Sequence, residues 1–189
     1  MDALLLALLL TLMLDQGSGT QRLVAHMSDT GAPTMSHIVG LGLMTAINAI
    51  VAAGFGAVMA AILMPDARLL FLAVALMIGA VGLLTSSLRK PPERDALQRR
   101  TGFRTLCAFL LRRGGENGAF AVAGVAAFTD APILAAIGAT VGGWVALVPP
   151  LALGTIFTRH DMLRLFQLLS GAILLCVAIT CAASALRLL

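Results

Sequence analysis

Two carboxylates stand inside long apolar stretches of this chain, Asp15 and Glu116, each followed by an amide and a glycine: Asp15-Gln16-Gly17 and Glu116-Asn117-Gly118. An ionised group in such a stretch is costly, and it normally faces a cavity, an ion pathway or a partner. Paired carboxylates are hard oxygen ligands suited to calcium, magnesium or manganese. Gln16, Asn117, Ser18, Thr20 and Gln21 add neutral oxygens beside them. A carboxyl withdrawn from water favours its protonated form, so the same pair can trade a proton for a cation. The opposing reading gives the acids only a charge-neutralising role. Arg22 follows Asp15 by seven residues, on nearly the same helix face, and Arg112 and Arg113 precede Glu116 by four and three, within pairing distance on one helix. Both readings stay open, with Arg112 and Arg113 as charges that modulate the site.

The elements that must position these acids are membrane helices. Of 189 residues, 59% are apolar and only 12% charged, with a mean hydropathy of +0.97. A soluble domain would be about half apolar and about a quarter charged. The apolar residues form blocks of helix-spanning length separated by short polar breaks, and the ten-residue alternation of a membrane barrel is not seen. The expected fold is an all-α integral membrane protein of six transmembrane helices, over about 2–26, 34–64, 67–88, 103–128, 132–157 and 161–187. These make one membrane domain, 1–189: a first half 1–88, a hydrophilic linker 89–102 with Pro91-Pro92, and a second half 103–189. Residues 1–14 have the length of a signal peptide's apolar core. They carry Asp2, no Lys or Arg and no A-x-A-like cleavage site, so they are read as the start of helix one.

Eight of the thirteen basic residues lie between Arg89 and Arg113. Blocked in this way the charge is topogenic rather than a nucleic-acid footprint, and it places the linker in the cytoplasm. Counting helices outward from the linker puts both termini outside. Arg22 in the first connection and Arg159, His160 and Arg164 around the fifth then also fall inside, which is self-consistent.

The halves resemble each other. Asp15 and Glu116 are each followed fourteen residues later by another Asp, Asp29 and Asp130, and then by Pro33 and Pro132. Asp66 with Leu70-Phe71 reads against Asp161 with Leu165-Phe166. A repeat with an odd number of spans is inverted in the membrane, a plan of secondary transporters whose binding site lies near the midplane between the halves. Asp15 is about thirteen residues into helix one, roughly 20 Å along it. Glu116 lies at a similar depth in helix four, and the two acids are expected past the bilayer middle toward opposite faces. Gly17, Gly19, Gly114, Gly115 and Gly118 beside them permit close packing or local unwinding. His37 and Asn48 in helix two are further candidate partners. Pro149-Pro150 should kink helix five, and Asp66, Asp130 and Asp161 are expected to cap helices.

Cys107, Cys176 and Cys181 have no metal-ligand spacing and read as small core residues. No Walker loop, G-x-S-x-G, H-E-x-x-H or Cys-x-x-Cys is present, and no clustered base and nucleophile can be assembled. The expectation is a non-enzyme with no resident cofactor.

At the two acid-x-glycine sites the chain resembles the Gdt family of calcium/manganese–proton exchangers, whose members carry two copies of Glu-x-Gly-Asp-Lys/Arg-Thr/Ser in helices one and four of a 3+3 fold. Asp15-Gln16-Gly17-Ser18-Gly19-Thr20, followed by Gln21, is similar to the first copy, and Glu116-Asn117-Gly118-Ala119-Phe120-Ala121 to the second. The likeness extends to Gly138-Ala139-Thr140-Val141-Gly142-Gly143 in helix five. Ser18 and Ala119 stand where the second acids would be, and Gly19 and Phe120 at the basic positions. The resemblance implies a metal site on Asp15 and Glu116 and a secondary transporter of manganese or calcium, exchanged for protons across the inner membrane, weakened by the lost acids. Two alternatives remain: a transporter-like protein of changed substrate, and a non-transporting subunit assembled as a homo- or hetero-oligomer.

Overall fold

The computed structural model describes residues 2–16, 18, 21, 24, 25, 28, 35–86, 117–154 and 161–186; within these, the side chains of 35–38, 86, 117 and 161–163 lie outside the description. Regular structure among the described residues is entirely helical: α1 (Asp2–Leu14), α2 (Met35–Ile62), α3 (Pro65–Ser86), α4 (Asn117–Thr129), α5 (Pro132–Leu153) and α6 (Asp161–Ala185). Four of these are long and apolar enough to cross a membrane, over Val39–Ile62, Pro65–Thr85, Pro132–Leu153 and Arg164–Ala185. The first described helix of each half, α1 and α4, is shorter, at 13 residues.

The radial order of side chains is that of a lipid-embedded bundle. The core is built of small residues, among them Ala7, Ala49, Ala53, Ala121, Ala126, Ala135, Ala139 and Ala178. The large apolar side chains point outward: along α2 alone, Val39, Leu43, Ile47, Ile50, Val51, Phe55, Val58 and Ile62 are exposed. Water would penalise such a surface. Lipid does not, and helices meeting in lipid gain most by bringing their backbones close over small residues. The helices are accordingly compatible with a multi-pass membrane protein.

Packing runs between the halves more than within them. α3 lies against α6 in the most extensive contact of the bundle, α1 lies against α5, and α4 packs on both α2 and α3. Two of these crossings depend on a missing Cβ. At Gly142 of α5 a Cβ would come within 2.7 Å of the Leu8 carbonyl of α1, and at Gly56 of α2 within 2.7 Å of the Ala126 Cβ of α4. The second helix of each half thus presents a glycine to the first helix of the other.

Side chains tie the helix ends together. Pro65 opens α3, as expected of a proline in the first helical turn. Arg68 donates through Nε to the Leu63 carbonyl (3.1 Å) and through Nη2 to that of Ala60 (2.5 Å), capping the C-terminus of α2. Its Nη1 also reaches Asp130 Oδ2 at 3.7 Å. The connections between α2 and α3 and between α4 and α5 therefore share one end of the bundle. At another helix end, Ser28 Oγ donates to the Leu151 carbonyl of α5 (2.9 Å).

Three sequence expectations change. Helix one is not continuous over 2–26: α1 stops at Leu14, with Asp15 and Gln16 in a turn. Asp130 does not cap α5. The N-cap residue is Ala131, without a side-chain cap bond, while Asp130 takes a left-handed φ of 53° and turns its carboxylate to Arg68. Asp66 is the second residue of α3 rather than the residue before it. Asp161 opens α6, with its side chain outside the described residues, as is the linker 89–102.

Candidate ion site at the break in helix one

The composition after Leu14 ends the helix. Asp, Ser and Gly all favour non-helical backbone or local side-chain bonding over helix propagation, and four of the next five residues, Asp15, Gly17, Ser18 and Gly19, are of these types. The Asp15 N–H still donates to the Thr11 carbonyl (2.9 Å), and the Ser18 N–H then closes a turn on the Asp15 carbonyl (3.1 Å). Ser18 Oγ accepts from the Gln21 N–H at 3.3 Å, the bond of an N-cap serine, and Gln21, Val24, Ala25 and Ser28 are again helical. Helical backbone thus ends at Leu14 and is found again at these residues, with the Ser18 cap between. Non-helical backbone at membrane depth is tolerated where protein or a polar cavity surrounds it.

The break adjoins a cavity of about 20 Å³, lined by Thr11 and Asp15 of helix one, Thr45, Asn48, Ala49 and Ala52 of α2, Gly118, Ala119 and Val122 of α4, and Ala139 of α5. That is room for about one water-sized occupant, and so for one desolvated monatomic ion. Asp15 is 5% exposed, Thr11 5% and Thr45 3%, so little solvent competes for their oxygens.

Both threonine hydroxyls are committed as donors. Thr11 Oγ1 donates to the Ala7 carbonyl (2.7 Å) and Thr45 Oγ1 to that of Leu41 (2.9 Å). A hydroxyl has one proton and two lone pairs, so each threonine offers the cavity only acceptor capacity. The Asp15 carboxylate adds further acceptor oxygens and negative charge, and Asn48 an amide with both acceptor and donor atoms, a set that can suit a cation. Among the described residues no group of three or more His, Cys, Asp or Glu forms; a cation here would rest on Asp15 and neutral oxygens.

Gly118 meets Asp15 directly: a Cβ placed on it would lie 3.4 Å from Asp15 Oδ1. Asp15, just past the end of α1, thus stands level with Gly118, near the start of α4. The expectation of acids set toward opposite faces involves Glu116, which lies outside the described residues.

The remaining candidates divide. Gln16, Ser18 and Gln21 do not line the cavity. Ser18 is the N-cap just described. Gln21, 1% exposed, donates through Nε2 to the Ala146 carbonyl of α5 at 2.5 Å. In an unbroken helix that carbonyl would accept from residue 150, but Pro150 has no N–H. The glutamine therefore replaces a bond that a proline removed. The Gln16 carbonyl accepts from Gln167 Nε2 of α6 at 3.0 Å. Asn117 belongs to α4, with its side chain outside the described residues, as are the whole of Glu116, Thr20, Arg22, Arg112 and Arg113; His37 is on α2, its side chain likewise outside.

Asn48 joins the site as a sequence candidate. Thr11 and Thr45 were not anticipated. The available signal was spacing: Thr11 is four residues before Asp15 and Thr45 three before Asn48, the intervals that share a helix face. Threonines bonded back to their own helix are common, so spacing alone does not separate a ligand from a satisfied hydroxyl. Comparison of the chain with protein-family models, with curated proteins and with solved structures gave no match.

Proposed function

We propose that this protein is a secondary transporter that moves a hard metal cation in exchange for protons, with the cavity at the break in helix one as its ion site. The observation that carries this is the ion-sized cavity beside buried Asp15, lined by hydroxyls that can only accept. Alternate occupation of Asp15 by a cation and by a proton would couple the two fluxes, because a buried carboxylate is stable only when paired or protonated. Glu116, adjacent to α4, is the second carboxylate of this reading. It would raise the charge of the site to that needed to balance manganese or calcium.

Several observations support an inverted 3+3 repeat. α1 on α5 is matched by α4 on α2, each crossing made over a glycine of the second helix, and α3 meets its counterpart α6. A broken helix at the meeting point of two halves is the usual place for an ion in such transporters. The Arg68–Asp130 contact puts the second and fourth connections at one end, as six alternating spans require. The likeness to the Gdt exchangers belongs to the same reading.

The test is uptake of manganese and of calcium into proteoliposomes with and without an imposed pH gradient, wild type beside Asp15→Asn and Glu116→Gln. Flux that follows the gradient and is lost in Asp15→Asn is the expected result. Absence of cation flux from folded wild type would overturn the reading, and would turn attention to other solutes and to partner proteins.

A further inference from the structure

Gln167 is the second most informative polar residue of the bundle after Asp15. It is 2% exposed on a mostly apolar helix that packs chiefly on α3, and contact between α1 and α6 is slight. A buried amide costs free energy unless it is bonded. Its bond is made to the backbone of helix one, at the Gln16 carbonyl, one residue past Asp15.

That position matters mechanically. Past Leu14 the backbone has left the helix, and its carbonyls must find partners elsewhere. Thr11 and Asp15 carbonyls are served by backbone N–H groups on either side of the break; the Gln16 carbonyl is held by a side chain from another helix. A neighbouring peptide fixed in this way restricts the rotation of the Asp15 peptide, and so limits where the carboxylate sits relative to Thr45 and Asn48 of α2 and Gly118 of α4. Selection among hard cations depends on ligand spacing and rigidity: magnesium sits at about 2.1 Å from its oxygens and calcium at about 2.3–2.6 Å. A site whose single described carboxylate is held by a fixed turn discriminates; a site with a slack turn adapts to each ion.

We infer that Gln167 is a positioning residue of the ion site: by holding the Gln16 carbonyl it sets the placement of Asp15, and with it the preference among cations of different radius. The inference rests on the cation-site reading above. It separates Gln167 from Gln21, the other buried glutamine at the break, whose bond is spent on α5.

The experiment uses the full chain reconstituted in liposomes and compares wild type, Gln167→Met and Gln167→Leu. Methionine keeps the length without polarity and leucine keeps much of the bulk, and neither has an N–H donor. The probes are manganese and calcium, each alone. Expected are an apparent KM raised about tenfold at similar maximal rate and a manganese-to-calcium preference moved at least threefold toward unity in both variants. A loss of packing alone would lower the amount of folded protein without changing the ratio. Folded variants with the wild-type KM and ratio would overturn the inference. The wild-type arm separately decides the cation reading. Amide exchange across 14–21 in detergent keeps the inference testable if wild type moves neither ion: protection there lowered at least tenfold in both variants supports the hold on the break, and unchanged protection overturns it.

Discussion

Helix one and helix five both lose backbone hydrogen bonds in the middle of an apolar stretch, and the consequences are opposite. Helix one has Asp15, Ser18 and glycines at that point, and it breaks. Helix five has Pro149 and Pro150, a stronger interruption by intrinsic propensity, yet α5 continues to Leu153. The difference lies in what receives the orphaned groups. The carbonyl that Pro150 deprives of its donor accepts instead from Gln21. Val24 of the same piece of helix packs with Leu147 and Leu151 of α5, and Ser28 bonds the Leu151 carbonyl. The bond that Pro150 removes is thereby replaced in place. The break in helix one is instead capped by Ser18, held by Gln167, and left facing a small cavity that Asp15 lines. An interruption repaired by neighbours is architecture, whereas one left beside a cavity with a carboxylate is a candidate site.

That contrast can be broken first at Asp15. Asp15→Asn keeps the shape and removes the charge, so cation uptake should fall to background, at least a hundredfold, while the thermal midpoint of the purified protein changes little. Loss of folding instead of flux would make Asp15 an architectural residue like Gln21.

The next largest effect is expected where helix one meets helix five over Gly142. Gly142→Val forces a side chain against the Leu8 carbonyl and Thr11, an overpacking that costs about 1–3 kcal/mol and displaces α1 together with its acid. Denaturant titration in mixed micelles should show the loss of stability, with uptake reduced in parallel.

A double-mutant cycle sharpens the repair itself. Gln21→Leu should destabilise the protein by about 1–2 kcal/mol, since it leaves the Ala146 carbonyl unsatisfied in a buried place. In a Pro150→Ala background the backbone N–H of residue 150 returns, and the same Gln21→Leu change should cost about 1 kcal/mol less. Additive effects in unfolding measurements would show that the glutamine does not substitute for the missing donor.

The smallest effect is expected at Asp130. Its carboxylate is 72% exposed and 3.7 Å from Arg68, so Asp130→Asn should change stability by under about 1 kcal/mol. Asparagine also tolerates the left-handed backbone at this residue. A larger loss in the same unfolding assay would mean that the ion pair holds the helix ends together more firmly than its exposure allows.

Much of this was legible in the sequence for physical reasons. Apolar blocks long enough to span a bilayer announce helices because lipid offers the backbone no other partners, and the ends of α2, α3, α5 and α6 lie within a few residues of the expected spans. Asp15 announced itself as an acid in an apolar run, the glycines beside it allowed for local unwinding, and Asn48 was already a candidate. Caps were less legible: Asp130 has the right residue type beside Pro132, but the competing Arg68 comes from another helix and is invisible to a local rule.

The sequence by itself therefore determined an all-helical, lipid-compatible chain with its acid at a weak point in helix one, since hydropathy, helix propensity and proline chemistry are local properties. The tertiary structure alone decided which polar groups meet. Asp15 sits against Gly118, more than a hundred residues away; Thr11 and Thr45 line one cavity with it; and Gln21 and Gln167 serve carbonyls on different helices. These pairings follow from how small residues let helices cross in lipid, a property of two surfaces at once that neither segment encodes alone.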